Sequence, residues 1–459
     1  MNAQIDAVVV GAGMAGLCAA VAAAEAGQTV TVIEKGTRPG GSMALSHGFI
    51  WTFKEMHQLR SEMPDGDREL QELVVEQCAD GRDWLQRQGV RLSPEEAFAG
   101  FGWGQLMEPA QLIQALLGRA ADLGVTIRLR TPMRELIVED GRVCGVRVRT
   151  EEQVESIEAD RVILTTGGFQ GNAELLRRYV TPYAEDMYLR ANPWSTGDGL
   201  LAALAAGAAL TPHLGTFYGH AVVAPPARFG PLQLLEATQR YGPWSVALNL
   251  NGARFTDESA GTGEEWLNQQ IARQPRATAV YVLDAAISEM SPGAIGLPIT
   301  RVIIDRARAF GGPVVTAPTL EQLCQVLGRW GIPPDRALDS IIRFNQQLHS
   351  NDGSGLSPAR IGSRFEIKTP PFTAVLVRAG ITFTCGGLAV DAAMRVLEQA
   401  STNSLLPLVT ARAEEFVWSH IDGLYAAGSD VGGLSNSGYL GGLASALVTG
   451  RLAGTCQVG

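Results

Sequence analysis

No Cys-x-x-Cys pair occurs in the 459 residues, and the six cysteines (Cys18, Cys78, Cys144, Cys324, Cys385, Cys456) are scattered. That spacing argues against a zinc site or a disulfide framework and suits a reducing compartment. No metal is expected. Lysine is nearly absent, with only Lys35, Lys54 and Lys368, and the formal net charge is −10. Without a basic block there is no nucleic-acid footprint. No apolar run is long enough to span a bilayer, since the alanine-rich stretch from Leu17 to Ala26 is short and polar-flanked. Asp6 and Glu25 interrupt the apolar start, so no secretory leader is expected and a soluble cytoplasmic enzyme is the working class. Glycine is abundant, 53 residues, but has no three-residue period, which excludes collagen. The glycines cluster instead beside apolar runs. With 46% hydrophobic residues the chain buries large cores, and its length predicts two or three domains.

The first cluster is the informative one. Ile5–Val10 reads as a buried parallel strand and Gly11-Ala12-Gly13-Met14-Ala15-Gly16 follows it directly. An alanine-rich helix then runs to Gly27, and Thr29–Ile33 forms a second strand ending in Glu34. Strand, glycine turn, helix, strand and acid in this order form the dinucleotide fingerprint. Gly11 permits the tight turn, Gly13 lets backbone approach a pyrophosphate, and Gly16 lets the helix pack on the strand. The helix N-terminus attracts the phosphates. Glu34, 23 residues after Gly11, is placed to accept hydrogen bonds from ribose hydroxyls. A second glycine pair, Gly40-Gly41-Ser42 after Lys35, suits FAD better than NAD.

Thr165-Thr166-Gly167-Gly168-Phe169, Leu424-Tyr425-Ala426-Ala427-Gly428 and Gly441 through Gly454 add three further glycine turns. Asn249–Phe255 matches an "NxxGxRF" strand and Gly386–Asp391 a "GGLxVD" strand. In order and spacing, over almost the whole chain, these segments resemble the flavoproteins grouped with fumarate reductase and succinate dehydrogenase. The same group holds 3-ketosteroid, urocanate and tricarballylate enzymes. The resemblance implies an α/β fold: a Rossmann-like (glutathione-reductase-type) FAD domain from residues 1–219 and 384–459, and an inserted α+β capping domain from 220–383. It implies noncovalent FAD held by Gly11, Ala12, Gly13, Ala15, Gly16, Glu34 and Lys35 at the first turn. Gly41, Ser42 and Met43 follow, with Met133, Thr166, Gly167 and Asp198 in the middle of the chain. Gly428, Ser429, Asp430, Gly442, Leu443 and Ala444 complete the set. His47 is expected near the flavin without carrying it covalently.

Such enzymes add or remove two hydrogens across a C–C bond beside a carbonyl or carboxylate, with a protein group moving one proton. This chain departs from fumarate reductase at three places. Glu258–Gly263 lacks the proton-donating Arg, Thr382–Cys385 lacks the His, and Asn436–Leu440 lacks the carboxylate-clamping Arg. The base tyrosine of 3-ketosteroid Δ1-dehydrogenases is also missing, with Thr262 near its place. Gly380–Thr384, Glu264-Glu265-Trp266 and Gly438-Tyr439 are similar to tricarballylate dehydrogenase. Tyr439 is the first catalytic candidate, as carbonyl donor or proton carrier; aligning from the final glycines puts Ser437 there instead. Tyr218 and His220 form the second cluster, with His220 expected as a ligand donor. Glu264 and Glu265 are weaker base candidates, because helix carboxylates are commonly at the surface. Trp51, Trp103, Phe383 and Thr384 are expected to wall the substrate pocket, with Phe101, Phe217 and Trp244 nearby. Arg254, Arg301 and Arg378 could clamp a carboxylate, but Arg254 belongs to the "NxxGxRF" strand and is read as structural.

These aromatics favour desaturation of a cyclic ketone or keto acid over a tricarboxylate. The electron acceptor is then oxygen, a quinone or an electron-transfer protein. An ene-reductase on an unsaturated acid or enone runs the same chemistry backwards, although no Cys-x-x-Cys-His haem motif accompanies it. A non-catalytic flavin-binding protein is the remaining class.

Overall fold

The computed structural model describes residues 4–98, 101–151, 153–261, 263–291, 298–351, 353–399 and 419–456. Thr262, weighed above against a base tyrosine, lies outside them.

Ala7–Val10 is buried at every position, the pattern of a strand covered on both faces. It pairs in parallel with Val30–Ile33 on one side and Arg161–Leu164 on the other. Thr126–Arg128 and His420–Ala426 extend this sheet in parallel, and Arg395–Leu397 closes it antiparallel, giving six strands. The N-terminal and C-terminal parts of the chain therefore meet in one sheet.

Two helices of small residues cross its face, Met14–Glu25 and Gly442–Thr455. A Cβ at Gly450 would stand 2.4 Å from the Ala15 carbonyl oxygen, and one at Gly454 2.4 Å from that of Ala19. Only glycine permits so close a helix–helix approach. Arg161, fully buried at the start of its strand, then fastens the last turn. Its guanidinium donates to the carbonyls of Ala453 (3.0 Å), Gly454 (2.8 Å) and Cys456, and to Gln28 Oε1 (2.5 Å).

A second sheet is antiparallel throughout. Val222–Val223, Phe372–Arg378, Thr278–Leu283 and Val246–Asn249 run in that order, and Val314–Ala317 also pairs with Phe372–Arg378. Helices Thr300–Ala309, Leu320–Leu327 and Pro334–Asn351 accompany it. Two short pairings tie this part to the first: Tyr188–Leu189 with Gly380–Ile381, and Phe217–Tyr218 with Phe383–Thr384. Among the described residues no helix is long and apolar enough to cross a membrane, no cluster suits a metal, and all six cysteines are unpaired.

Candidate active site

An elongated cavity of about 450 Å³ runs from the carboxyl ends of the first sheet to the short pairings just described. At its first end the glycines divide their work. Gly11 has φ +111°, and a Cβ there would stand 2.4 Å from the Thr165 oxygen; a Cβ at Gly16 would stand 1.9 Å from the Gly11 oxygen. Both are packing glycines. Gly13 is different, since its Cβ would meet nothing closer than Gly41 Cα at 4.0 Å. The two glycine turns therefore lie close together on the cavity wall with no side chain between them, as backbone approach to a phosphate requires.

Glu34 is buried beside that gap and accepts hydrogen bonds from the Ala12 amide (2.9 Å) and the Gly36 amide (2.6 Å). Lys35 donates to Asp198 and Thr196, both at 2.6 Å. Ser42 Oγ accepts from the Asn192 amide at 3.2 Å, and Met43, Met133 and Ser429 line the wall. Asp430 is buried and accepts bonds from the Thr166 amide and hydroxyl and the Gly168 amide, locking the Gly167 turn against the last strand. Burial raises its carboxyl pKa, and these donated bonds pull against the rise. Gly442 and Leu443, at the start of the 14-residue C-terminal helix, complete the cradle; Ala444 packs behind. Two glycine gaps, a ribose-seeking acid and two helix N-termini suit a dinucleotide with a pyrophosphate.

At the far end two tyrosines stack. The rings of Tyr218 and Tyr439 have centroids 3.7 Å apart at 12°. Trp51 meets Tyr439 edge-on at 5.5 Å, and Phe383 lies 5.2 Å from Tyr218. The Tyr439 hydroxyl accepts the Gly442 amide at 2.9 Å, so its own hydrogen is free to be donated. Burial pushes its pKa up to about 12. The Tyr218 hydroxyl stands 2.9 Å from His220 Nε2. Burial raises the Tyr218 pKa well above its ordinary value and drops that of His220 well below, keeping both neutral.

Arg190 and Arg240 also reach this end. Gly380 makes room for Arg190, since a Cβ there would stand 2.6 Å from Arg190 Cδ. Arg190 donates to Thr382 Oγ1 at 2.8 Å and Thr238 Oγ1 at 3.4 Å. Neither arginine has a carboxylate within ion-pair distance among the described residues, and the Nε of each is buried without a partner. No motif announces either one; they come from a two-residue strand end and from the turn after Leu234–Ala237.

Several expectations are corrected. His220 lies behind Tyr218 and off the cavity wall, with its Nε2 2.9 Å from the Tyr218 hydroxyl. Glu264 is not at the surface: it is 3% exposed and sits behind His220. Ser437 faces a separate hollow with Glu62 and Glu265, whereas Tyr439 lines the main cavity. Trp103 is half-exposed, with Lys54 Nζ 5.6 Å from its ring, and Thr384 is buried beneath Gly168; neither lines the cavity. Phe98 lines the wall where Phe101 was expected, and Trp244 packs on Phe365. Arg301 pairs with Glu289 at 2.9 Å and Arg378 lies 3.6 Å from Asp186, so neither is a clamp here, while Arg254 pairs with Glu258 at 2.8 Å in keeping with its structural reading. His47 lines the cavity, half-buried, its pKa lowered by burial and by Arg240.

The fold and its cradle define a dinucleotide-dependent oxidoreductase of the flavoprotein class. The chain belongs to the FAD binding domain family, which matches residues 6–444. It is 25% identical over 477 residues to a fumarate reductase (cytochrome) of Shewanella frigidimarina, covering 98% of this chain and 76% of that one. It is 24% identical over 544 residues to the 4-oxocyclohexanecarboxylate 2-dehydrogenase of Sinomonas cyclohexanicum, covering 95% and 92%. Its fold matches a 3-ketosteroid Δ1-dehydrogenase from Sterolibacterium denitrificans with TM-score 0.72 at 18% identity, covering 98% of both chains. It is an FAD-dependent oxidoreductase acting on carbon–carbon bonds.

Proposed function

We propose that the chain desaturates a cyclic keto acid next to its ketone. The observation carrying this is the Tyr218–Tyr439 stack with two arginines beside it that, among the described residues, have no carboxylate within ion-pair distance. Bound FAD supplies the hydride acceptor. Tyr439, with its hydrogen free, donates to the ketone oxygen and acidifies the α-carbon. Tyr218, whose hydroxyl faces an imidazole nitrogen, takes the α-proton. Arg190 and Arg240 hold the carboxylate, replacing the three clamps and donors that the chain lacks. Trp51 and Phe383 flank the ring and exclude water. The five-stranded sheet, all within 222–378, supports reading 220–383 as a cap over an FAD domain of 1–219 and 384–459. The unpaired cysteines support a reducing compartment such as the cytoplasm. Oxygen, a quinone or an electron-transfer protein takes the electrons.

The ene-reductase direction remains the second reading, supported by the fumarate reductase relative. Anaerobic mixing separates the two. The purified yellow protein is given cyclic ketones, keto acids and polycarboxylates, and its oxidised flavin band is followed. Bleaching by a saturated keto acid is the expected result. Failure of every saturated compound to bleach it, with reoxidation of the reduced protein by an unsaturated acid, sinks the desaturase reading. No response in either direction points to the non-catalytic class.

A further inference from the structure

Behind the Tyr218 wall lies a group of buried polar atoms that the tyrosine chemistry above does not use. His220 is 5% exposed and Glu264 3%. His220 Nδ1 stands 2.8 Å from Glu264 Oε1, although the angle there completes no hydrogen bond. Both Glu264 oxygens, His220 Nδ1 and the Tyr281 hydroxyl are buried, and although the Ala221 amide and the Tyr281 hydroxyl lie beside Glu264, none of these atoms completes a well-formed hydrogen bond. So many orphan atoms in one place require an explanation, because each costs about 1–3 kcal/mol when left unpaired. The line they form is ordered. Tyr218 is in the cavity wall, its hydroxyl is 2.9 Å from His220 Nε2, and the other ring nitrogen is against Glu264.

We propose that Tyr218, His220 and Glu264 form an inward proton relay whose terminal acceptor is Glu264. This rests on the desaturase reading. As the substrate's α-C–H bond breaks, its proton bonds to the Tyr218 oxygen. The proton that Tyr218 already carries passes to His220 Nε2, and the one on Nδ1 passes to Glu264 Oε1. His220 ends neutral in its other tautomer, Tyr218 ends as a phenol, and Glu264 ends as a carboxylic acid. The accompanying hydride is what FAD, when bound, would accept.

The relay starts from the Glu264 carboxylate, at a pH above its raised pKa, and the surroundings favour the protonated end state. Burial, and then the nearby Glu265, push the Glu264 pKa well up, opposed by Arg240, Arg190 and the Ala221 amide. Burial disfavours an imidazolium at His220, so a proton arriving at one nitrogen is better passed on than held. Tyr241 and Tyr281, on the far side of Glu264, are held protonated by burial and do not compete for the charge. The contrast with Asp430 is instructive. That carboxylate is locked by donated bonds that resist protonation, whereas the Ala221 amide and the Tyr281 hydroxyl approach Glu264 without completing well-formed bonds.

The test avoids hydride transfer. The holoenzyme is reduced with dithionite, given 4-oxocyclohexanecarboxylate or a 3-ketosteroid in D₂O, and exchange of the α-protons is followed by NMR. Wild type is expected to exchange them, with a rate that falls as pH drops through the raised Glu264 pKa, above the ordinary carboxylate value of about 4.3. Glu264→Gln is expected to slow exchange roughly 100-fold and to abolish that acid limb, with bound FAD unchanged. His220→Gln serves the same purpose if Glu264→Gln does not fold. Wild-type exchange that survives either substitution with its acid limb intact overturns the relay and leaves the desaturase reading standing. Absence of exchange in wild type with both ketones overturns the reading and the relay together.

Discussion

The phenol rings of Tyr218 and Tyr439 lie 3.7 Å apart and 12° from parallel, yet their hydroxyls have different partners. Tyr439 receives a backbone N–H from Gly442, and Tyr218 faces an imidazole nitrogen. One phenol is thereby left as a donor, and the other is given somewhere to send its proton. The stack comes from residues 221 positions apart, joined by the pairing of Tyr218 with Phe383 and by the glycine loop before the last helix.

Tyr439→Phe removes the proposed donor to the ketone and leaves the ring stack. Flavin reduction by a keto acid is expected to slow by about 10²–10⁴-fold, with FAD content unchanged. Stopped-flow absorbance checks it; an unchanged rate with every ketone that wild type oxidises would remove Tyr439 from the mechanism.

Arg190→Met and Arg240→Met test the carboxylate site. Losing a charged hydrogen bond costs about 1.5–3 kcal/mol, so keto-acid binding is expected to weaken roughly 10–100-fold for each. Neutral cyclic ketones are the control and are expected to bind as before. Equal weakening of both classes would mean that the arginines shape the cavity without reading the carboxylate.

Gly13→Ala and Gly16→Ala separate cofactor space from packing. A Cβ at Gly13 enters the open gap and meets only Gly41 Cα at 4.0 Å, so FAD affinity is expected to fall with the fold intact. A Cβ at Gly16 would stand 1.9 Å from the Gly11 oxygen, so the melting temperature is expected to fall as well, by overpacking worth about 1–3 kcal/mol. Flavin fluorescence titration and thermal melts read the two effects independently.

Arg161→Met tests the fastening of the C-terminal helix. It strands three backbone carbonyls, those of Ala453, Gly454 and Cys456, at the edge of the buried sheet. Unfolding in urea is expected at lower denaturant, corresponding to about 3 kcal/mol. A midpoint equal to wild type would show that the helix–helix glycine contacts suffice.

Local signals made the cofactor end legible. Strand, glycine turn and helix are consecutive in the chain, so the sequence alone determined the Gly11–Gly16 turn, the place of Glu34 at the end of the second strand and the later glycine loops. The substrate end is assembled from Tyr188–Arg190, Phe217–His220, Arg240, Glu264 and Tyr439, which no spacing connects. Side-chain direction there follows from strand pairing and burial. The Phe217–Tyr218 pairing set Tyr218 in the wall and His220 behind it, and the glycine loop turned Tyr439 toward the cavity and Ser437 toward another hollow. Glu264 reads as a surface helix acid until the neighbouring sheet covers it. Only tertiary structure decides which charges lose water and which partners they then lack, because desolvation depends on every element packed around a group and not on its neighbours along the chain.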